Sequence, residues 1–230
     1  MRRRRRVSDA PGEKPPFGHQ KSAERDFERK LNKVAGEIRK ILENAKSEAD
    51  LRVAQNRLRE YAKLLGKWAD IQAEQMVNRV FEANEKRWGG FVKEFGYDLK
   101  EKKGKEAAEK SDIAKAVIKM RTEAAKYIKD LPEGTAERVG HLAHEAMLHG
   151  MRPEAIQERI QNECEVSASR ARLIARTEVA RSNSVLVQAR AESLGSEAYI
   201  WQTAEDGRVR ESHREMNGKV CYWKDPPVLS

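Results

Sequence analysis

Between Ser167 and Gly195 small and apolar residues recur at alternating steps of four and three: Leu173, Thr177, Ala180, Ser184, Val187, Ala191 and Leu194. That rhythm places them on a single helical stripe. Ser167 or Ser169 supplies a cap at its start and Gly195 a stop at its end. A stripe of small side chains lets another backbone approach closely, so the pattern predicts a helix packed at the centre of its domain. Arg176, Glu178, Arg181 and Asn183 sit beside the stripe, a polar set that a core pattern does not require. After Gly195 the period falls to two, with Ala198, Ile200 and Gln202 facing one way and Tyr199, Trp201 and Thr203 the other. Asp206-Gly207 and Asn217-Gly218 are hairpin dipeptides, because glycine accepts the positive φ of tight primed turns. Together they predict a small antiparallel meander over 196–223.

The rest of the chain reads as helix. Phe27, Leu31, Val34, Ile38 and Ile41 share one face, and Ala54, Leu58, Tyr61, Leu65 and Trp68 continue the rhythm after a cap at Ser47. Two such amphipathic helices joined near Asn44 to Ser47 pair as a hairpin or coiled coil, within the chain or with another subunit. Gly89-Gly90 predicts a break. Ser111 opens a further helix bearing Ile113, Val117, Met120, Ala124 and Ile128, and Pro132-Glu133-Gly134-Thr135 predicts a turn and a domain boundary. Beyond it, Val139, Leu142, Ala146 and Met147 predict a helix stopped by Gly150, and Pro153 begins a short one with Ile156 and Ile160. The expected organisation is a disordered basic arm over 1–20, a long-helix region over 21–132, and a compact unit over 133–230 with helices 135–195 and the meander. The fold class is mainly α with a small α+β C-terminal part.

Only 39% of the 230 residues are hydrophobic while 36% are charged, a balance that suits long solvent-washed helices better than one large core. The net charge of +9 lies wholly in the first 130 residues; Leu131 to Ser230 carries 13 basic and 15 acidic side chains. A polyanion would therefore meet the N-terminal part, where Arg2, Arg3, Arg4, Arg5 and Arg6 and the run Lys102, Lys103 and Lys105 are the candidate DNA contacts. Two cysteines, neither in a C-x-x-C pair, suit a reducing compartment. No apolar run reaches a membrane span, and the start has no apolar segment behind its arginines as a secretory signal would.

Candidate chemistry is thin. His141, His144 and His149 are not spaced as H-E-x-x-H. His213 and Cys221 flank the Asn217-Gly218 turn, but two ligands fall short of a structural zinc site, so no metal is expected. Arg176, Glu178, Arg208 and Arg210 could form an arginine-rich active site, yet there is no phosphate-binding loop, nucleophile elbow or acidic pair at metal spacing. A structural ion-pair network is the favoured reading, with Glu178 held by Arg181 and by Arg208 and Arg210 of the meander. The three C-terminal helices alone would also suit a helix-turn-helix reader, against which stand the acidic balance and the alanine-lined helix. The four tryptophans read as packing anchors.

An ordered set of residues carries a family resemblance: Arg176-Thr177-Glu178 in an alanine-rich helix, Asn183, Gly195, Trp201, then Asp206, Arg208, Arg210, His213, Asn217 and Gly218. Over roughly Thr135 to Val220 the chain resembles the phage Mu F-like minor capsid, or head morphogenesis, proteins. Members usually continue into a proline-containing tail with a late cysteine pair, whereas this sequence ends Pro226-Pro227-Val228-Leu229-Ser230. The resemblance implies a non-enzymatic, cofactor-free virion component in the capsid interior near the portal, present in the host cytoplasm during assembly. The partners it implies are the portal protein, major capsid or scaffold proteins and phage DNA held without sequence preference, in head assembly and in DNA packaging or ejection. Self-association through the N-terminal helices is added by their stripes. The rival readings are a nucleic-acid or nucleotide-processing enzyme using Arg176, Glu178 and His213, and a free-standing non-specific DNA-binding module.

Overall fold

The computed structural model describes residues 18, 20–94, 106–203, 207 and 209–228. Among them are six helices and one two-stranded sheet: α1 (Lys21–Leu42), α2 (Glu48–Leu64), α3 (Gly66–Glu94), α4 (Glu106–His149), α5 (Pro153–Ser193), β1 (Ala198–Ile200), α6 (Glu211–Glu215) and β2 (Val220–Tyr222). Residues 1–17, which hold the five arginines of the basic arm, and the Lys102 to Lys105 run lie outside the described residues. The chain forms two compact units. One comprises His19–Ala83 with Ala114–Ser184, and the other includes Asn84–Ile113 and Val185–Ser230.

In the first unit α1 and α2 are joined by a turn that ends in a capping box. The Ser47 hydroxyl accepts from the Asp50 N–H at 3.2 Å, and the Asp50 carboxylate accepts from the Ser47 N–H at 3.0 Å. Two otherwise unpaired amides at a helix start are thereby satisfied. Phe27, Leu31, Val34 and Ile38 of α1 are buried, followed by Leu42 rather than Ile41, because 3.6 residues per turn drifts away from a strict four-three alternation. Leu51, Leu58, Val77, Ile128, Leu131 and Ile156 are buried with them. The inner stripes of the long helices are thus covered within one chain, which corrects the expectation that they depend on another subunit for burial.

Two expected breaks are absent. Gly89-Gly90 lies inside α3, and Pro132-Glu133-Gly134-Thr135 lies inside α4, so the helices on both sides of Pro132 belong to one unit. A proline within a helix costs about 3 kcal/mol through its missing N–H and ring clash. Burial of Leu131, Pro132, Thr135, Ala136 and Val139 opposes that cost. The helices expected either side of Ser167 are also one helix, α5. Ser167 does not cap it but sits mid-helix, its hydroxyl donating to the Glu163 carbonyl at 2.9 Å. The glycine stops hold. Gly150 and Gly195 have φ of 56° and 82°, and each is followed by an N–H bonded five residues back, Met151 to Ala146 and Ser196 to Ala191.

The largest correction concerns which face of α5 is inside. The buried residues are Ile156, Ile160, Cys164, Ser167, Ala171, Ile174, Ala175, Glu178, Val179, Ser182, Asn183, Leu186 and Arg190. Leu173 is 63% exposed, and Thr177, Ala180 and Ser184 lie on the same outward face. Two stripes of equal periodicity lie side by side, and the one with larger side chains at Ile174, Val179 and Leu186 wins the core because burial free energy scales with apolar area. Neighbouring substitutions separate the faces. Ile174→Ala should cost about 2 to 5 kcal/mol, and Leu173→Ala within about 0.5 kcal/mol, measured by chemical denaturation of the whole chain.

Candidate functional site

The first cluster is a polar seam along the antiparallel contact of α4 with α5. Arg181 pairs with Glu123 at 2.6 Å, the Thr135 and Ser167 hydroxyls meet at 3.0 Å, Arg138 pairs with Glu163 at 2.6 Å, and Arg159 pairs with Glu145 at 2.7 Å. Thr135 also donates back to the Leu131 carbonyl at 2.9 Å and accepts from Arg138 at 3.2 Å. Each hydroxyl has one proton, so when one donates to the other it gives up its own helix carbonyl, and the Thr135 oxygen accepts from Arg138 in either arrangement.

Glu178 lies on this seam, 4% exposed. Arg181, one turn on, is 3.9 Å from its carboxylate but makes its short bond to Glu123. Burial pushes the Glu178 carboxyl above its ordinary range, Arg181 pulls it back, and the Glu123 charge adds to the upward push. Its ionic partner is therefore a neighbour on its own helix, shared with α4. The meander arginines expected as partners are placed otherwise: Arg210 is exposed at the N-cap of α6, and Arg208 lies outside the described residues.

Asn183 is the second anchor. Its Oδ1 accepts from the side-chain amide of Gln20 at 2.9 Å, and the same amide reaches the Val80 carbonyl at 3.3 Å. Gln20 is the N-cap residue of α1, so the last residue of the expected disordered arm is instead buried and fastened to α5 and α3. Sequence reasoning missed Gln20, which has no periodic partner, and missed Glu123, whose role appears only once α4 and α5 are placed antiparallel. Arg176 and Thr177 are exposed on α5, on the side away from Glu178.

The second cluster, in the other unit, is the β hairpin and the loop it carries. β1 pairs with β2 antiparallel, Tyr199 opposite Cys221. Between them the chain forms α6, so the expected meander is one hairpin with a helical loop, and no strand runs through Val209 and Arg210. Asp206 lies outside the described residues. Asn217-Gly218 follows α6 instead of closing a primed turn. Gly218 takes φ 80°, its N–H bonds to the Trp201 carbonyl at 2.8 Å, and the Asn217 side chain accepts from the Thr203 N–H at 2.9 Å. The same dipeptide suits a helix stop as well as a hairpin, which is why spacing alone misplaced it. Tyr199 stacks on Trp223 at 4.4 Å, and Trp201 meets the His213 ring at 5.6 Å. Cys221 is buried, its thiol pointed toward the Lys219 carbonyl. Among the described residues no group of three metal-capable side chains converges.

Of the described residues that carry the resemblance, Gly195 and Gly218 take positive φ, Asn183 and Asn217 accept hydrogen bonds, Glu178 sits beside Arg181 and Trp201 meets His213, while Arg176, Thr177 and Arg210 are exposed. Residues 137–230 match the model of the family described as "Phage Mu protein F like protein". The chain is also similar to an uncharacterized protein of Haemophilus influenzae, 32% identical over 101 residues that make up 44% of this chain. The chain spans only 23% of that relative's length. No solved structure matches.

Two outcomes follow from the seam. The folded pKa of Glu178 lies above its ordinary 4.5, so the fold holds the proton more tightly than the unfolded chain does. That contribution is full below pH 4.5 and is lost as pH rises through the folded value. Glu178→Gln should remove this slope and be at least as stable as the parent at pH 7, read as the difference between urea titrations of the two proteins across that range. Asn183→Ala should strand the buried Gln20 amide at about 1 to 3 kcal/mol, and hydrogen exchange should then quicken in the first turn of α1.

Proposed function

We propose that the chain is a minor structural protein of a phage head, working without catalysis in the capsid interior near the portal, in head assembly and DNA packaging or ejection. The match of residues 137–230 to the phage Mu F-like family carries this reading. The internal duties of Glu178, Asn183, Trp201, Asn217 and Gly218 support it, because a residue that seals a helix seam or a hairpin loop is withheld from a substrate. Portal protein is the proposed partner, together with major capsid or scaffold proteins, and residues 133–230 are the proposed head morphogenesis module. No helix among the described residues is long and apolar enough to cross a membrane.

An enzyme built on Arg176, Glu178 and His213 fits these positions poorly. Glu178 is shut away with a raised pKa while Arg176 is on the opposite, exposed side of α5, so the two cannot flank one reacting group. The DNA contact in the proposal rests on the basic N-terminal part of the chain. Counterion release then makes affinity fall with log salt by about 0.9 per phosphate neutralised on duplex DNA.

Co-expression with the portal protein of the same phage tests the proposal: the two should co-elute, and removal of residues 137–230 should abolish co-elution. Separate elution at physiological salt, with the chain absent from purified heads, would overturn it. DNA binding by the intact chain should be independent of sequence and steep in salt, and deletion of residues 1–20 should flatten the slope. An unchanged slope would take the arm out of the account, and turnover of labelled DNA with a divalent metal would favour the enzyme.

A further inference from the structure

The outward face of α2 and α3 carries a second stripe that one chain leaves uncovered. Val53, Leu64 and Ile71 are 58%, 82% and 50% exposed. Eleven and seven residues separate them, so on an α-helix they share one direction to within about 20°. Helical bonding continues across the junction at Leu65, whose N–H reaches the Tyr61 carbonyl at 3.0 Å and whose carbonyl accepts from Ala69 at 2.7 Å. A lone exposed apolar residue is ordinary. Three in line, with Arg57, Glu60, Lys67 and Glu74 filling the same four-three rhythm, form a seam of the kind that pairs helices.

The order of the charges identifies what would lie on it. Arg57, Arg59 and Lys63 precede Leu64, whereas Asp70 and Glu74 follow it. We propose that the seam docks a second copy of this chain, the two α2–α3 helices running antiparallel with Leu64 on the two-fold axis. Arg57 of each copy then faces Ile71 of the other between Asp70 and Glu74, and Glu60 faces the Lys67–Trp68 stretch. Each attraction occurs twice, as a closed two-fold contact requires. A parallel pair would instead set Arg57 against Arg57, Glu60 against Glu60 and Lys67 against Lys67. Glu74 already meets Arg121 of its own chain at 3.1 Å, yet its side chain stays 50% exposed and open to a second cation. The contact runs 18 steps from Val53 to Ile71, about 27 Å of helix, so it suits a weak pair that strengthens when copies are held at high local concentration.

Sedimentation velocity of the whole chain, with circular dichroism as a folding control, tests the proposal. The dimer fraction should rise with concentration, and Leu64→Glu should raise the dissociation constant about thirtyfold. Arg57→Glu should weaken the pair, and Asp70→Lys added to it should restore association. Under mild oxidation Leu64→Cys should cross-link copies through Cβ atoms facing across the axis, while Val53→Cys, opposite Gln75, should not. The native cysteines, Cys164 and Cys221, are buried and leave this readout clear. A monomer up to about 1 mM would overturn the proposal. So would association indifferent to Leu64→Glu, equal cross-linking at both positions as in a parallel pair, or capture of a different helical partner with no self-association.

Discussion

A carboxylate inside a helix–helix contact must find a cation or keep a proton, and that requirement organises the first unit. Burial favours the protonated form of Glu178, and Arg181 one turn away offsets part of that push. Arg181 in turn is aimed by Glu123 on α4. The remaining crossings, through Thr135 and Ser167, Arg138 and Glu163, and Glu145 and Arg159, repeat the link at nearly constant register over about 33 Å of helix. Exposed pairs of this kind add little free energy each. Their value is in register, because a shift of one residue along either helix would separate all of the crossings together, including the Glu123 contact that aims Arg181. The hydroxyl pair is the best protected member, both residues being buried.

Much of this was legible in the amino-acid pattern, and the failures share a cause. The helices, the capping residue Ser47, the glycine stops at 150 and 195 and the strands flanking the last loop all announce themselves through local rules. The inner face of α5 did not. Leu173, Thr177, Ala180 and Ser184 are as periodic as Ile174, Val179 and Leu186, so periodicity does not separate them and the apolar area of the side chains does. Glu178 was expected to be held by Arg181, and it is buried beside that residue, but Asn183 was placed beside the core stripe only as an unexplained polar residue, whereas a polar group can be buried once it is satisfied. Pro132 misled for a similar reason: its local meaning is a stop, and tertiary burial overrode it. Asn217-Gly218 was read as a hairpin turn from composition, and the helix between 211 and 215 is too short for periodicity to reveal.

The same distinction governs what the family-matching residues can mean. A catalytic signature places reactive side chains where a substrate can reach them, with at least one group poised to exchange a proton. Here Asn183 receives the amide of Gln20, Asn217 receives the Thr203 N–H, Gly218 adopts a φ that other residues resist, and Trp201 rests on His213. Each solves a backbone or packing problem at one point of the chain. In one unit the start of α1 is fastened to α5 through Gln20 and Asn183, and in the other the hairpin loop is braced through Asn217 and Gly218. A side chain held in this way is withheld from a substrate, and that is the physical ground on which a structural role is proposed over a catalytic one.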